Sequence, residues 1–419
     1  MNNPVKISLI LLLSICTAFF QPFSTANADG AVDMPEVIRV GLFFNAHGVN
    51  SAAVSINVSA EKGLEIGFLE YDEFYPIYET NSSSVLTVRK DENSGAFHIK
   101  IGGYYSDLKS ARSKAASYGE KGIAAYPVYV DRWQVWTGSC TGEDDAQQQH
   151  DEVKKTLGKE SLEIIEPSLN RIAVYDSNND IVAMFGSDTS FLRIVPGEKN
   201  NPRVIKVNDM LYRGTIEVRR TPGSDMTVIN ELPLEEYLYG VVPCEIEASA
   251  HPEAVKAQAI AARTYMVKHL GYHQKIGFDL CNTYWCQVYK GFSREAAQSN
   301  KAVDDTCGKI LTYNGSPAEI FYFSSSGGRT EDVENVWTAS IPYLRSVEDK
   351  YESGKSWRYN WETVFTAPEI RDRMIEKKCD VGEILAVEIT KFTAAGRANE
   401  VVVRGTNGEH IFQKENCRY

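Results

Sequence analysis

The stretch Phe97-His98-Ile99-Lys100-Ile101-Gly102-Gly103-Tyr104-Tyr105 alternates apolar and polar side chains as a strand does, then breaks at two glycines. Ser106 to Tyr118 follows with helical character and stops at Gly119. The plan then repeats. Trp133 to Trp136 reads as a strand, Gly138 breaks it, and Glu143 to Leu157 reads as a helix ended by Gly158. With a further strand at Tyr126 to Val130, residues 96–165 are expected to form a small sheet with helices on one side. Its open sheet face is expected to present Tyr104, Tyr105, Trp133 and Trp136.

On both sides of this module the chain is rich in β-branched residues. Val37 to Leu42 and Ala52 to Val58 precede it, and the Tyr-rich, acidic stretch 70–93 between reads as an irregular connection. Beyond it, Arg171–Tyr175, Ile181–Met184, Phe191–Ile194, Arg203–Val207 and Gly214–Arg219 read as strands that join the earlier ones. The module would then be an insertion in a β-rich domain. From Leu232 the chain turns to Ala-rich helical and loop segments. The expected fold is α+β, with β-rich parts at 29–95 and 166–231, the inserted αβ module at 96–165 and a mixed α/β catalytic region at 232–419.

Residues 1–28 read as a secretory signal, with Lys6, an apolar run from Ile7 to Phe20 and the small triplet Ala26-Asn27-Ala28. As a helix that run is about 21 Å long against a hydrocarbon core of about 30 Å, which favours a cleaved signal and leaves an uncleaved anchor as the alternative. The expected location is secreted or cell-wall associated. A formal net charge of −12 argues against a nucleic-acid ligand. Seven cysteines follow the signal, with no regular disulfide framework in their spacing.

Chemistry concentrates after residue 232. Glu245 follows the apolar run Val241-Val242-Pro243 and precedes Ile246, a setting that raises a carboxyl pKa and suits an acid. Pro252 opens a helix that ends near His269 and Gly271, and on it Lys256 and Arg263 lie about two turns apart on one face. Cations on a buried face need anionic partners, and Glu245 or a ligand carboxylate would serve. Ser293 is expected to cap a helix running to Cys307, and Lys309–Tyr313 and Ala318–Phe323 to pair as strands around Asn314-Gly315. The second strand would lead into Ser324-Ser325-Ser326-Gly327-Gly328, a polar cradle for sugar oxygens. Cys281 and Cys286 are spaced to clasp one metal ion with His269, His273 or Asp279 nearest in sequence; zinc, a disulfide and unpaired thiols are all open on spacing alone.

Two resemblances rest on these residues. The strand, Gly-Gly-Tyr, helix and repeat of 96–165 resembles the SPOR (sporulation-related repeat) domain, which implies binding to glycan strands stripped of peptide stems. The segments Glu236–Tyr265, Phe278–Gly291, Ala302–Gly315 and Tyr322–Val347 closely resemble the stage II sporulation protein D family. They carry Val242-Pro243-Cys244-Glu245, Lys256-Ala257-Gln258-Ala259-Ile260-Ala261-Ala262-Arg263-Thr264-Tyr265 and Ser324-Ser325-Ser326-Gly327-Gly328. This resemblance implies a lytic transglycosylase of denuded peptidoglycan, with Glu245 as acid and base and Lys256, Arg263, Tyr322, Ser324, Ser325 and Ser326 lining the substrate site. It implies zinc at Cys281 and Cys286 in some members, no other cofactor, and a separate cell-wall amidase as partner. Trp285 stands where a His often precedes the second Cys, and Cys244 where Ser is common. The alternatives are a non-catalytic wall-binding protein of the amidase-enhancer type, stimulating a partner hydrolase, and a structural scaffold.

Overall fold

Alternation of buried and outward side chains builds two sheets. The computed structural model describes residues 32, 34–46, 48–70, 73–91, 96–221, 225–337, 339–355 and 359–418; the signal segment read at 1–28 lies outside them. In chain order the first strands are β1 (Val37–Phe43), β2 (Ser55–Ser59), β3 (Leu64–Glu70), β4 (Glu73–Glu79) and β5 (Leu86–Lys90). Next come β6 (Phe97–Ile101), α1 (Leu108–Gly119), β7 (Ala125–Val130), β8 (Arg132–Cys140), α2 (Glu143–Leu157) and β9 (Leu162–Ile165). Strands resume as β10 (Arg171–Tyr175), β11 (Ile181–Gly186), β12 (Leu192–Pro196), β13 (Val204–Val207), β14 (Met210–Arg213), β15 (Thr215–Thr221) and β16 (Asp225–Pro233). Then follow α3 (Leu234–Glu245), α4 (Pro252–Lys268), the short β17 (Leu280–Cys281) and α5 (Ala297–Asp305). The fold is α+β.

One sheet has the order β17-β1-β16-β15-β12-β3-β4 and the other β9-β6-β8-β7-β11-β10-β5-β2-β13-β14. Ile38, Val40 and Leu42 of β1 meet Val88 of β5, Ile172 and Val174 of β10 and Phe185 of β11 in one core, which Leu238, Val242, Val255 and Met266 of α3 and α4 complete. The boundary expected at 231/232 is therefore absent, because the helices close the same core as the sheets and β16 runs into α3 without a loop. The chain instead divides into units 1–320 and 321–419. In the second unit, α6 (Ala367–Glu376), opened by the capping box of Thr366 and Glu369, packs Met374 against Val381 and Val403. β18 (Ile384–Phe392), β19 (Ala398–Gly405) and β20 (Gly408–Gln413) form its antiparallel sheet.

Within the stretch read as an irregular connection at 70–93, residues 73–79 and 86–90 are regular strands. β3 pairs with β4, and β5 with β2 and β10, because Ile77, Leu86 and Val88 supply an inward face that the surrounding acidic and Tyr residues obscure. Residues 97–165 form a βαββαβ unit with strand order β9-β6-β8-β7, a split βαβ arrangement. β7 continues into the larger sheet by pairing parallel with β11, and the flanking β5 and β10 pair with each other, as an insertion requires. Arg171 holds the junction. Its Nε donates to Asp91 at 2.8 Å, Nη2 to the Ala96 carbonyl at 2.6 Å and Nη1 to the Glu166 carbonyl at 2.9 Å, while His98 bonds Asp91 from the other side.

The four aromatics expected on one sheet face do not share one. Trp133 and Trp136 lie an odd number of residues apart, so the strand turns them to opposite faces. Trp136 is 2% exposed and stacks on His98. Trp133 packs on the α1 side with Tyr105, and Tyr104 stands exposed between Lys100 and Arg132. Two further expectations are corrected. Ser293 caps no long helix; its hydroxyl accepts from the Leu211 N–H at 2.8 Å, and α5 starts after Ala296. The Asn314-Gly315 hairpin is tight, both residues having positive φ (51° and 80°), and pairs Thr312–Tyr313 with Ser316–Pro317 rather than with 318–323.

Candidate functional site

The C-terminal end of α3 carries Glu245. Glu235 and Glu236 in its first turn suit the positive end of the helix, whereas Glu245, its last residue, sits at the negative end. Burial pushes the Glu245 carboxyl above its ordinary value, and a hydrogen bond from the Val288 backbone N–H opposes this without cancelling it. The helix end adds to the disfavour of charge. A half-buried carboxyl held by one donor and disposed to stay protonated is suited to giving up a proton.

The segment that supplies Val288 is sutured to α3. Tyr237 Oη donates to Gln287 Oε1 at 3.2 Å, and Lys290 N–H reaches the Gly240 carbonyl at 3.2 Å. Gly240 is required here: a Cβ would lie 2.6 Å from the Tyr289 ring and 3.0 Å from the Gly291 nitrogen. Tyr289 is buried and its hydroxyl donates to Asn230 Oδ1 at 2.7 Å. Cys244 is a half-buried thiol whose Sγ donates to the Gly240 carbonyl at 3.3 Å; burial pushes it up, away from thiolate chemistry.

At the start of the same segment, His273, Cys281 and Cys286 bring their ligand atoms within 4.8 Å of one another, all three buried. Cys286 Sγ lies 3.3 Å from His273 Nε2, and Cys281 Sγ lies 3.2 Å from Thr283 Oγ1. Hydrogen bonding from Cys286, with His273 and Thr283, pulls the Cys281 thiol below its ordinary value. Both cysteines are free thiols. Of the three sequence neighbours named for the pair, only His273 joins it. His269 turns to the Tyr265 carbonyl and Glu319, and the Asp279 carboxylate accepts from the Arg39 N–H at 3.0 Å. One imidazole and two thiols form a donor set that fits zinc.

Arg263 does not face a ligand. It is 0% exposed, and its Nε and Nη2 fork onto Glu235 at 2.9 and 2.6 Å while the remaining bonds go to the carbonyls of Val303 and Lys309 and to Thr306 Oγ1. With all three nitrogens engaged inside the protein, it ties α3, α4 and α5 together. Lys256 pairs with Glu253 at 3.0 Å and Asp305 at 3.4 Å. The two cations take other anions than Glu245. Glu235, the true partner of Arg263, was legible only as one of two acids following Pro233.

Tyr322, Ser324, Ser325 and Ser326 belong to the second unit. There Ser326 is buried, its hydroxyl donating to Asp349 at 2.9 Å and its N–H to Glu352 at 2.9 Å, while Ser325 Oγ donates to Glu352 at 3.2 Å. Those hydroxyls organise the loop. Ser324 is exposed and Tyr322 half-buried.

Known proteins match the part of the chain that holds this geometry. The family model described as Stage II sporulation protein matches residues 222–313. This segment is a stage II sporulation protein D domain. The stage II sporulation protein D of Bacillus subtilis is 38% identical over 175 residues, covering 38% of this chain and 50% of that protein. Its counterpart from Bacillus amyloliquefaciens is 39% identical over 207 residues, 45% of this chain and 59% of that protein. An amidase enhancer of Bacillus subtilis is 39% identical over 167 residues, 40% of this chain and 23% of that protein. The chain thus spans about half the length of the stage II sporulation D proteins it matches. Glu245, Lys256, Arg263, His273, Cys281 and Cys286 all fall within the matched domain; Tyr322 and the serines fall outside it.

Since Arg263 is the buried centre of the domain's helices, Arg263→Met should destabilise the protein by the lower part of the about 3–5 kcal/mol typical of a broken buried pair, Glu235 being partly exposed. Urea unfolding measures this. Unchanged stability with weakened glycan binding would return Arg263 to a recognition role.

Proposed function

We propose that this chain is a lytic transglycosylase acting on denuded peptidoglycan glycan strands in sporulation-related wall remodelling. The observation that carries the reading is Glu245, a half-buried, protonation-prone carboxyl on the segment that matches the stage II sporulation D proteins. Glu245 would protonate the glycosidic oxygen as the bond to the sugar carbon breaks and an oxocarbenium-like state forms. The resulting carboxylate then takes the proton of the sugar's own C6 hydroxyl as that oxygen closes the anhydro ring. No water is consumed, so one carboxyl serves both steps. The Val288 N–H keeps that carboxyl aimed while it changes charge.

Glu245→Gln should lower cleavage at least about a hundredfold while leaving folding intact, measured by release of anhydromuramic ends from denuded glycan. Because the protonated form is the acid, turnover should fall as pH rises through the raised Glu245 value, placing that limb above the ordinary glutamic acid value of about 4.3. The match to an amidase enhancer supports a second reading, a non-catalytic protein that stimulates a partner amidase. Pure wild-type protein that releases no anhydro ends but accelerates such an amidase would replace the first reading with the second.

The SPOR-like insertion is proposed to hold the glycan at a place other than its sheet face. A groove between the β3–β4 hairpin and α1, floored by the buried Phe68, is lined by Tyr75, Tyr105, Tyr129, Trp133 and Arg112, rings for stacking on sugars beside a cation for a lactyl carboxylate. Tyr75→Ala with Arg112→Ala should weaken binding to amidase-stripped sacculi more than to intact sacculi. Equal binding of wild-type protein to both would remove the proposal.

His273, Cys281 and Cys286 are proposed to hold zinc, which would act as a clasp on the segment that carries Val288. Metal analysis of protein purified under reducing conditions should find about one zinc per chain, and none in Cys281→Ser. Metal-free protein with the two cysteines bridged would point to the disulfide instead.

A further inference from the structure

Among the large apolar side chains, Tyr284 (79% exposed) and Trp285 (49% exposed) stand out because they are adjacent, outward and mutually ordered. Their rings stack with centroids 5.5 Å apart and an interplanar angle of 27°. Exposing two such rings side by side forfeits apolar burial, and the fold does not leave them loose. The turn that carries them is stitched at every level: Cys286 N–H bonds the Thr283 carbonyl at 3.1 Å, Trp285 N–H reaches Thr283 Oγ1 at 3.4 Å, and Tyr289 N–H bonds the Asn282 carbonyl at 3.2 Å. The buried Cys281 and Cys286 bracket it against His273.

The position of this turn relative to the acid follows from chain geometry. Gln287 Nε2 bonds the Ala262 carbonyl at 3.3 Å and Val288 N–H bonds Glu245, so the base of the loop is fixed to α4 and to the end of α3. From Trp285 to Val288 the chain spans at most about 10 Å even when fully extended. The turn that carries the aromatic pair therefore lies within about 10 Å of the Val288 backbone that holds Glu245.

We propose that Tyr284 and Trp285 form a sugar-stacking subsite that binds one hexopyranose ring of the glycan beside the bond cleaved at Glu245. The inference rests on the glycan-cleaving reading for its ligand and on the loop geometry for its location. Aromatic faces suit the apolar C–H face of a pyranose, and a pre-stacked pair loses little freedom on binding. The rings touch the sugar, whereas Cys281, Cys286 and His273 act through the turn as positioning residues.

The test uses the full chain carrying Glu245→Gln, which separates binding from cleavage, with soluble N-acetylglucosamine tetrasaccharide and denuded glycan fragments as probes in calorimetric titration. Tyr284→Ala and Trp285→Ala should each weaken binding about threefold to tenfold, where tenfold corresponds to about 1.4 kcal/mol. Tyr284→Phe, which keeps the ring, should bind like the parent. With Glu245 restored, the Ala variants should raise KM and leave kcat largely unchanged. Unaltered affinity in both Ala variants overturns the subsite, as does no binding by the parent or equal loss in Tyr284→Phe. Cleavage that survives Glu245→Gln alongside binding that still depends on the pair would remove the acid assignment and keep the subsite.

Discussion

The fork of Arg263 onto Glu235 is the contact on which the site's geometry hangs. It places a buried guanidinium between three helices and satisfies every nitrogen from α3, α5 and the turn that follows α5. A buried cation is costly unless paired, so the helices have one relative arrangement in which Arg263 is satisfied. That arrangement fixes the start of α3, and the rigid helix carries the constraint to Glu245 at its other end. A residue that resembles a substrate clamp in the sequence is thus the reason Glu245 is where it is.

The second constraint is the loop from Cys281 to Tyr289, which performs several tasks in few residues. Its first residues pair with β1 and its last pack against α3, its backbone holds Glu245, its thiols meet His273, and its tip raises Tyr284 and Trp285 into solvent. These tasks are compatible because the two ends of the loop face inward and its tip faces outward. Cys281, Cys286, Gln287 and Tyr289 are buried, whereas Tyr284 and Trp285 are not.

The inserted βαββαβ unit is attached by the same kind of device. Arg171 closes its entry and exit together by bonding Asp91, Ala96 and Glu166, and the buried His98 completes the carboxylate's shell. Burial raises the Asp91 carboxyl, yet His98 and Arg171 more than offset that and hold it below its ordinary value, so it stays ionised where it is needed. The parallel pairing of β7 with β11 then makes one sheet of insertion and host, and the groove beside α1 uses walls from both.

Local pattern determined much of this in the sequence itself. Helix α2 and the start of α4, most strands from β10 to β15, the repeated plan of 97–165 and its insertion into a β-rich domain followed from period-two alternation, glycine breaks and Pro252, all properties of short windows. The half-buried, apolar setting of Glu245 was legible too, since its apolar neighbours are adjacent in sequence. The strands in 70–93 were not, because their inward residues are few among Tyr and acidic neighbours. Only the tertiary structure decided which charges pair and which rings are bare. Arg263 reads alike on a solvated or a buried helix face until Glu235 is brought against it, and Trp136 and Trp285 are the same residue until one is covered by His98 and the other is left outside. Burial and ion pairing are set by segments distant in the chain, and no window of sequence contains both partners.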